Sequence, residues 1–85
     1  MESQADRTMG LARAIAARHA IGTDFGMSDA LVDVGLSSLD LVNLMVAVEA
    51  EFDILIPPAY LTPKNFHSVE AIARMVEAVQ SASAT

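Results

Sequence analysis

Two adjacent serines, Ser37 and Ser38, stand where a turn-rich segment meets a long apolar-periodic one. The junction reads Asp33-Val34-Gly35-Leu36-Ser37-Ser38-Leu39-Asp40. A flexible loop of this kind delivers a serine to the first position of a helix. A hydroxyl placed there is exposed and approachable, because a helix start projects from its bundle. A phosphate ester on it would face backbone N–H groups that lack an intrahelical acceptor, and the positive end of the helix dipole. Serine is also among the best N-capping residues, so the pair could serve the helix alone. The serines by themselves leave both uses open.

Other reactive sets are missing. No Ser/His/Asp arrangement stands at a recognisable spacing, and neither a glycine-rich phosphate loop nor a cluster with metal-ligand spacing occurs. His19 and His67 sit near helix ends, and neither has the sequence partner that general acid–base chemistry needs. The chain has no cysteine, which excludes a disulfide framework, a thiolate metal site and a cysteine nucleophile. Any thiol chemistry must therefore come from an attached group. The domain is expected not to be an enzyme and to hold no metal.

The chain carries a net charge of -6, and the excess has a location. No Lys or Arg occurs between Arg18 and Lys64, while Asp24, Asp29, Asp33, Asp40, Glu49, Glu51 and Asp53 fall inside that gap. A field of one sign attracts basic partners and repels nucleic acid and anionic membrane. A solvated acidic face that only aids solubility is the alternative. The stretch from Leu41 to Val48 is too short to span a bilayer, and the N-terminus lacks a basic region followed by an apolar one. The expectation is a cytoplasmic domain without membrane insertion.

With 85 residues the chain makes one domain at most, ordered over about residues 5–80. A first helix is expected from about Ala5 to His19, with Leu11 and Ile15 inward and Arg7, Arg13 and Arg18 toward water. Residues Thr23 to Leu36 read as a long loop, pinned by Leu31 and Val34. A second helix begins at Ser38 and runs to about Phe52. Leu44, Val48 and Phe52 recur every four residues and Leu41 joins them, forming a core stripe. Val42 and Val46 fall beside that stripe. β-Branched residues are poor choices for a solvated helix surface, so they belong either to a partner-facing strip or to a wide core face. Ile54–Ile56 reads as an extended connector ended by Pro57 and Pro58, and Ala59 to Lys64 as one helical turn. Ser68 caps a last helix from Val69 to about Val79, with Val69, Ile72, Val76 and Val79 inward. The tail from Ser81 should fray. The sum is an all-α bundle of three main helices plus one short helix.

The run from Asp33 to Pro57, DVGLSSLDLVNLMVAVEAEFDILIP, closely resembles the acyl carrier protein family. That family's attachment motif is G-x-D-S-L, followed by a long helix ending in acidic-E-F-x-x-x-I-P. The likeness extends through Phe66, Ser68 and Val69 and covers about Leu31 to Val79. It implies that Ser38 receives 4'-phosphopantetheine from coenzyme A through a magnesium-dependent phosphopantetheinyl transferase. The arm's thiol would then carry cargo as a thioester, loaded by an acyl- or aminoacyl-activating ligase. The same likeness implies a monomeric carrier recognised largely through the second helix, and the residues implied for partner binding are Leu39, Asp40, Val42, Asn43, Val46 and Glu49.

Three positions depart from the usual pattern. Ser37 stands where the family most often has Asp, and Asn43 and Ala50 stand where fatty-acid carriers often have Glu. The docking face is thus less acidic than in a typical fatty-acid carrier. Gly35-Leu36-Ser37-Ser38, with Leu61-x-x-Lys64-x-Phe66-x-Ser68-Val69-x-Ala71-Ile72, is similar to a narrower group of stand-alone bacterial carriers. Those are charged with small amino acids by seryl-tRNA synthetase homologues that lack tRNA activity. A small cargo needs no apolar cavity among Leu44, Val48, Phe52 and Ile72, so the core should be closed. The alternatives are a fatty-acyl or polyketide carrier, and a helical interaction module with no prosthetic group.

Overall fold

The computed structural model describes residues 3–19, 21–22 and 24–83. Four α-helices occur in it: α1 Gln4–Arg18, α2 Leu31–Val34, α3 Ser38–Phe52 and α4 Val69–Ser83, with a single 3-10 turn at Pro58–Tyr60. Among the described residues there is no strand. Ile54–Ile56 is an extended connector, as expected. No described helix is long and apolar enough to cross a membrane.

Each long helix starts on a serine. Ser3 and Ser37 form capping boxes with Asp6 and Asp40, and the Ser68 hydroxyl accepts the Ala71 N–H at 3.1 Å. These bonds satisfy N–H groups that no helical carbonyl can reach. The core is the set of inward faces. α1 contributes Met9, Ala12, Ile15 and Ala16; α3 contributes Leu44, Val48 and Phe52; α4 contributes Val69, Ile72, Met75, Val76 and Val79. Fully burying one such aliphatic side chain stabilises the fold by about 1.5–3 kcal/mol. α1 packs against both α3 and α4. Leu44, Val48, Phe52 and Ile72 are all buried in this one cluster, in keeping with a closed core.

The segment expected to be a plain loop before α3 holds a helical turn, α2. Leu31 is fully buried there, and the turn ends at Gly35, whose φ of 119° only glycine adopts readily. Phe25 and Leu36 are buried plugs as well, alongside the expected Leu31 and the half-buried Val34. Two backbone bonds tie the segment to the residue before the α4 cap and to the first turn of α4: Leu31 N–H to the His67 carbonyl and Glu70 N–H to the Met27 carbonyl, both 2.9 Å. The helical turn expected at Ala59 to Lys64 begins one residue earlier and is confined to Pro58–Tyr60. α4 continues past Val79 to Ser83, so the fraying expected from Ser81 is not seen there, and residues 84–85 lie outside the described set.

Arg7 is not simply a solvated arginine. Its guanidinium pairs with Glu51 at 2.9 Å and sits 4.5 Å from the centroid of the Phe52 ring. Arg7 on α1 therefore meets part of the acid load of the cation-free middle segment.

The Ser38 site and its family

The start of α3 assigns different tasks to the two serines. Ser37 is the N-cap: its hydroxyl accepts the Asp40 N–H at 3.2 Å, and its own N–H donates to Asp40 Oδ2 at 2.9 Å. Ser38 is the first helical residue and is exposed. The capping role open to either serine thus falls to Ser37, which leaves the Ser38 hydroxyl outside the cap. A geometric reason follows from helix entry. The capping residue must keep extended backbone angles, and Ser37 has φ -80° and ψ 172°.

Beside Ser38 lies an open apolar cleft of about 490 Å³, lined chiefly by Val32, Leu41, Val42, Met45, Leu61 and Phe66. A phosphate ester on Ser38 would meet the free N–H groups of the first turn of α3. The arm beyond it would have an apolar trough to follow. These residues fit a phosphopantetheine group. The thiol it carries supplies thioester chemistry that a chain without cysteine lacks.

The six residues expected to face partners separate into two sets. Leu39, Val42 and Val46 are exposed to 69%, 50% and 55%, and Asn43 is exposed beside them. Val42 and Val46 therefore belong to a surface strip, not to a wide core face. Asp40 is not on that surface. Its side chain is buried, because its carboxylate completes the Ser37 cap and lies 2.8 Å from His19 Nε2. Glu49 is half-buried and accepts the Ile56 N–H at 2.8 Å, which holds the extended connector against α3. The two carboxylates expected on the docking face are thus engaged in holding the backbone.

Asp40's carboxyl is held below the usual carboxylate range. The Ser37 N–H bond is the largest cause; burial opposes it, and the Ser37 hydroxyl and the charges of His19 and Arg18 add to it. Sequence reading missed His19. It is distant from Asp40 along the chain, and only the signal that histidine suits a helix C-terminus marked it. Among the described residues no group of His, Asp or Glu is placed to hold a metal ion.

Comparison with known proteins agrees with this geometry. The family model described as "Phosphopantetheine attachment site" matches residues 10–76. Aminoacyl carrier protein 1 of Bradyrhizobium diazoefficiens is 49% identical over 71 residues, covering 84% of this chain and 79% of that protein. A chain in the crystal structure of the Bradyrhizobium japonicum glycine:[carrier protein] ligase, complexed with its cognate carrier protein and an analogue of glycyl adenylate, superposes with a TM-score of 0.73. It is 49% identical, and the match covers 85% of this chain and 94% of that one. In a second crystal structure, of the same ligase complexed with glycylated carrier protein, the TM-score is 0.71 and the identity 49%, over 81% of this chain and 93% of that one. An exposed serine at the head of α3, an apolar trough beside it and a family match over most of the chain lead to one assignment: the chain belongs to the phosphopantetheine attachment family and is a helical carrier domain.

Proposed function

We propose that this domain carries an amino acid, as a thioester, on a 4'-phosphopantetheine arm attached to Ser38. The observation that carries the attachment site is the division of labour at the start of α3, where Ser37 is spent on the cap and Ser38 stands exposed. Support for the cargo comes from the 49% identity to an aminoacyl carrier protein and to a chain from a glycine ligase complex. The closed packing of Leu44, Val48, Phe52 and Ile72 also suits small cargo better than a long chain.

In the attachment step, catalysed by a phosphopantetheinyl transferase, Ser38 Oγ forms a bond to the β-phosphorus of coenzyme A. The bond from that phosphorus to the bridging pyrophosphate oxygen breaks, and adenosine 3',5'-bisphosphate leaves. The hydroxyl proton passes to a base of the transferase. The domain contributes presentation and no catalytic group: α3 holds the hydroxyl outward, and the cap keeps neighbouring backbone groups satisfied. It works as a monomer in the cytoplasm. An amino-acid-activating ligase then docks along Leu39, Val42, Asn43 and Val46, with Asp40 and Glu49 bracing that surface from within.

The test is to convert the protein to its holo form and load the arm with glycyl, acetyl or octanoyl groups. A glycine-activating ligase should charge it with glycine. Octanoyl loading should leave the melting temperature unchanged. Each methylene entering the core would add about 0.8 kcal/mol, so a clear rise with octanoyl would favour a fatty-acyl carrier.

A further inference from the structure

Asp40 divides one carboxylate between two helices. Its Oδ2 accepts the Ser37 N–H at 2.9 Å, within α3's own cap. Its Oδ1 lies 2.8 Å from Nε2 of His19, the residue that ends α1. The two side chains differ in access: His19 is 52% exposed and Asp40 only 9%. Each also sits where its helix favours its charge, the histidine at a C-terminus and the carboxylate in a first turn. Arg18 is the other charged group acting on Asp40 from α1. Ser38 lies between the two residues of the cap, so the backbone that carries its side chain is set by a clasp whose outer anchor is His19.

We propose that His19 is a positioning residue for the Ser38 attachment reaction: it fastens Asp40 to α1 and so fixes the start of α3 against the body of the domain. The proposal rests on Ser38 being the acceptor. His19 touches neither coenzyme A nor the reacting hydroxyl. Its effect passes through Asp40 and Ser37, so it acts on how often Ser38 is presented correctly and not on the chemistry of the transferase.

The experiment measures the initial rate of phosphopantetheine transfer from coenzyme A to the full chain, for the native protein and for His19→Ala, His19→Gln, Asp40→Asn and Ser38→Ala. It is run at a temperature where circular dichroism shows each variant folded. His19→Ala should lower kcat/KM for the carrier roughly three- to tenfold, the size of one hydrogen bond. The KM for coenzyme A should not move. Asp40→Asn should lower the rate similarly, and His19→Gln, which keeps an N–H donor at that reach, should recover most of it. A merely structural histidine would give folded variants with native rates. Native kcat/KM in folded His19→Ala overturns the proposal, as does a Gln variant as slow as the Ala one. Modification persisting in Ser38→Ala overturns instead the reading beneath it.

Discussion

α3 is fastened to α1 at both ends, and the two fastenings are built differently. At its last turn, Arg7 reaches across from α1 with Nε 2.9 Å from Glu51 Oε2 and a second nitrogen 2.8 Å from the Glu51 carbonyl oxygen, over the Phe52 ring. That contact is half-exposed and redundant: a charge pair, a bond to an end-of-helix carbonyl and a ring contact act together. At its first turn, a single buried carboxylate does two jobs, capping the helix and meeting His19. The far end spreads its hold over several contacts and presents no reactive group. The near end concentrates its hold in Asp40 and keeps the adjacent Ser38 hydroxyl free. On the proposed reading this arrangement suits a carrier, because the start of the helix is capped by Ser37 and Asp40 and does not depend on the serine that is modified.

The largest break falls at the far end. Phe52→Ala should destabilise the fold by about 3–5 kcal/mol, since the ring fills the base of the core and its loss leaves a cavity. Urea unfolding measures it, and a loss below about 1 kcal/mol would remove Phe52 from the core account. At the near end the two serines should separate cleanly. Ser37→Ala should cost about 1 kcal/mol as a lost cap, whereas Ser38→Ala should fall within about 0.5 kcal/mol of native. The reverse order would move the cap to Ser38 and undo the division of labour.

Acid should weaken the near end through Asp40. Asp40's folded pKa is lowered, so its contribution is fully present above the ordinary carboxylate range and is lost as pH falls through the folded value. Melting temperatures across an acid series should therefore drop below about pH 4, and Asp40→Asn should flatten that part of the curve. An unchanged slope in the variant would place the acid sensitivity elsewhere. The smallest effect belongs to the exposed pair: Glu51→Gln should cost less than about 1 kcal/mol, and the cost should shrink in high salt. A large, salt-independent loss would mean that the far end is not redundant.

The parts of this molecule legible in its sequence are those with a period. α3 runs from Ser38 to Phe52, where the spacing of Leu44, Val48 and Phe52 put it, and the inward face of α4 holds the expected Val69, Ile72, Val76 and Val79 together with Met75, which was not expected there. α2 escaped because four residues are too few to show a helical repeat, although Gly35 marked its end. The cap assignment turned on one residue. Ser37 and Asp40 stand three apart, the capping-box spacing, but Ser38 fits a helix start equally well by type. The tie from His19 to Asp40 has no local signature, since it forms only when the end of α1 packs beside the start of α3. Val42 and Val46 were undecided for a related reason: a β-branched pair beside a core stripe is assigned to surface or core only by the neighbouring helices.

The central claim is that Ser38, and not Ser37, bears the arm. The most direct measurement is intact mass with peptide mapping of the native protein, Ser37→Ala and Ser38→Ala after incubation with coenzyme A, magnesium and a phosphopantetheinyl transferase. The account predicts one phosphopantetheine increment on the native protein and on Ser37→Ala, mapped to Ser38, and none on Ser38→Ala. An increment on Ser38→Ala, or one mapped to Ser37 in the native protein, would contradict it.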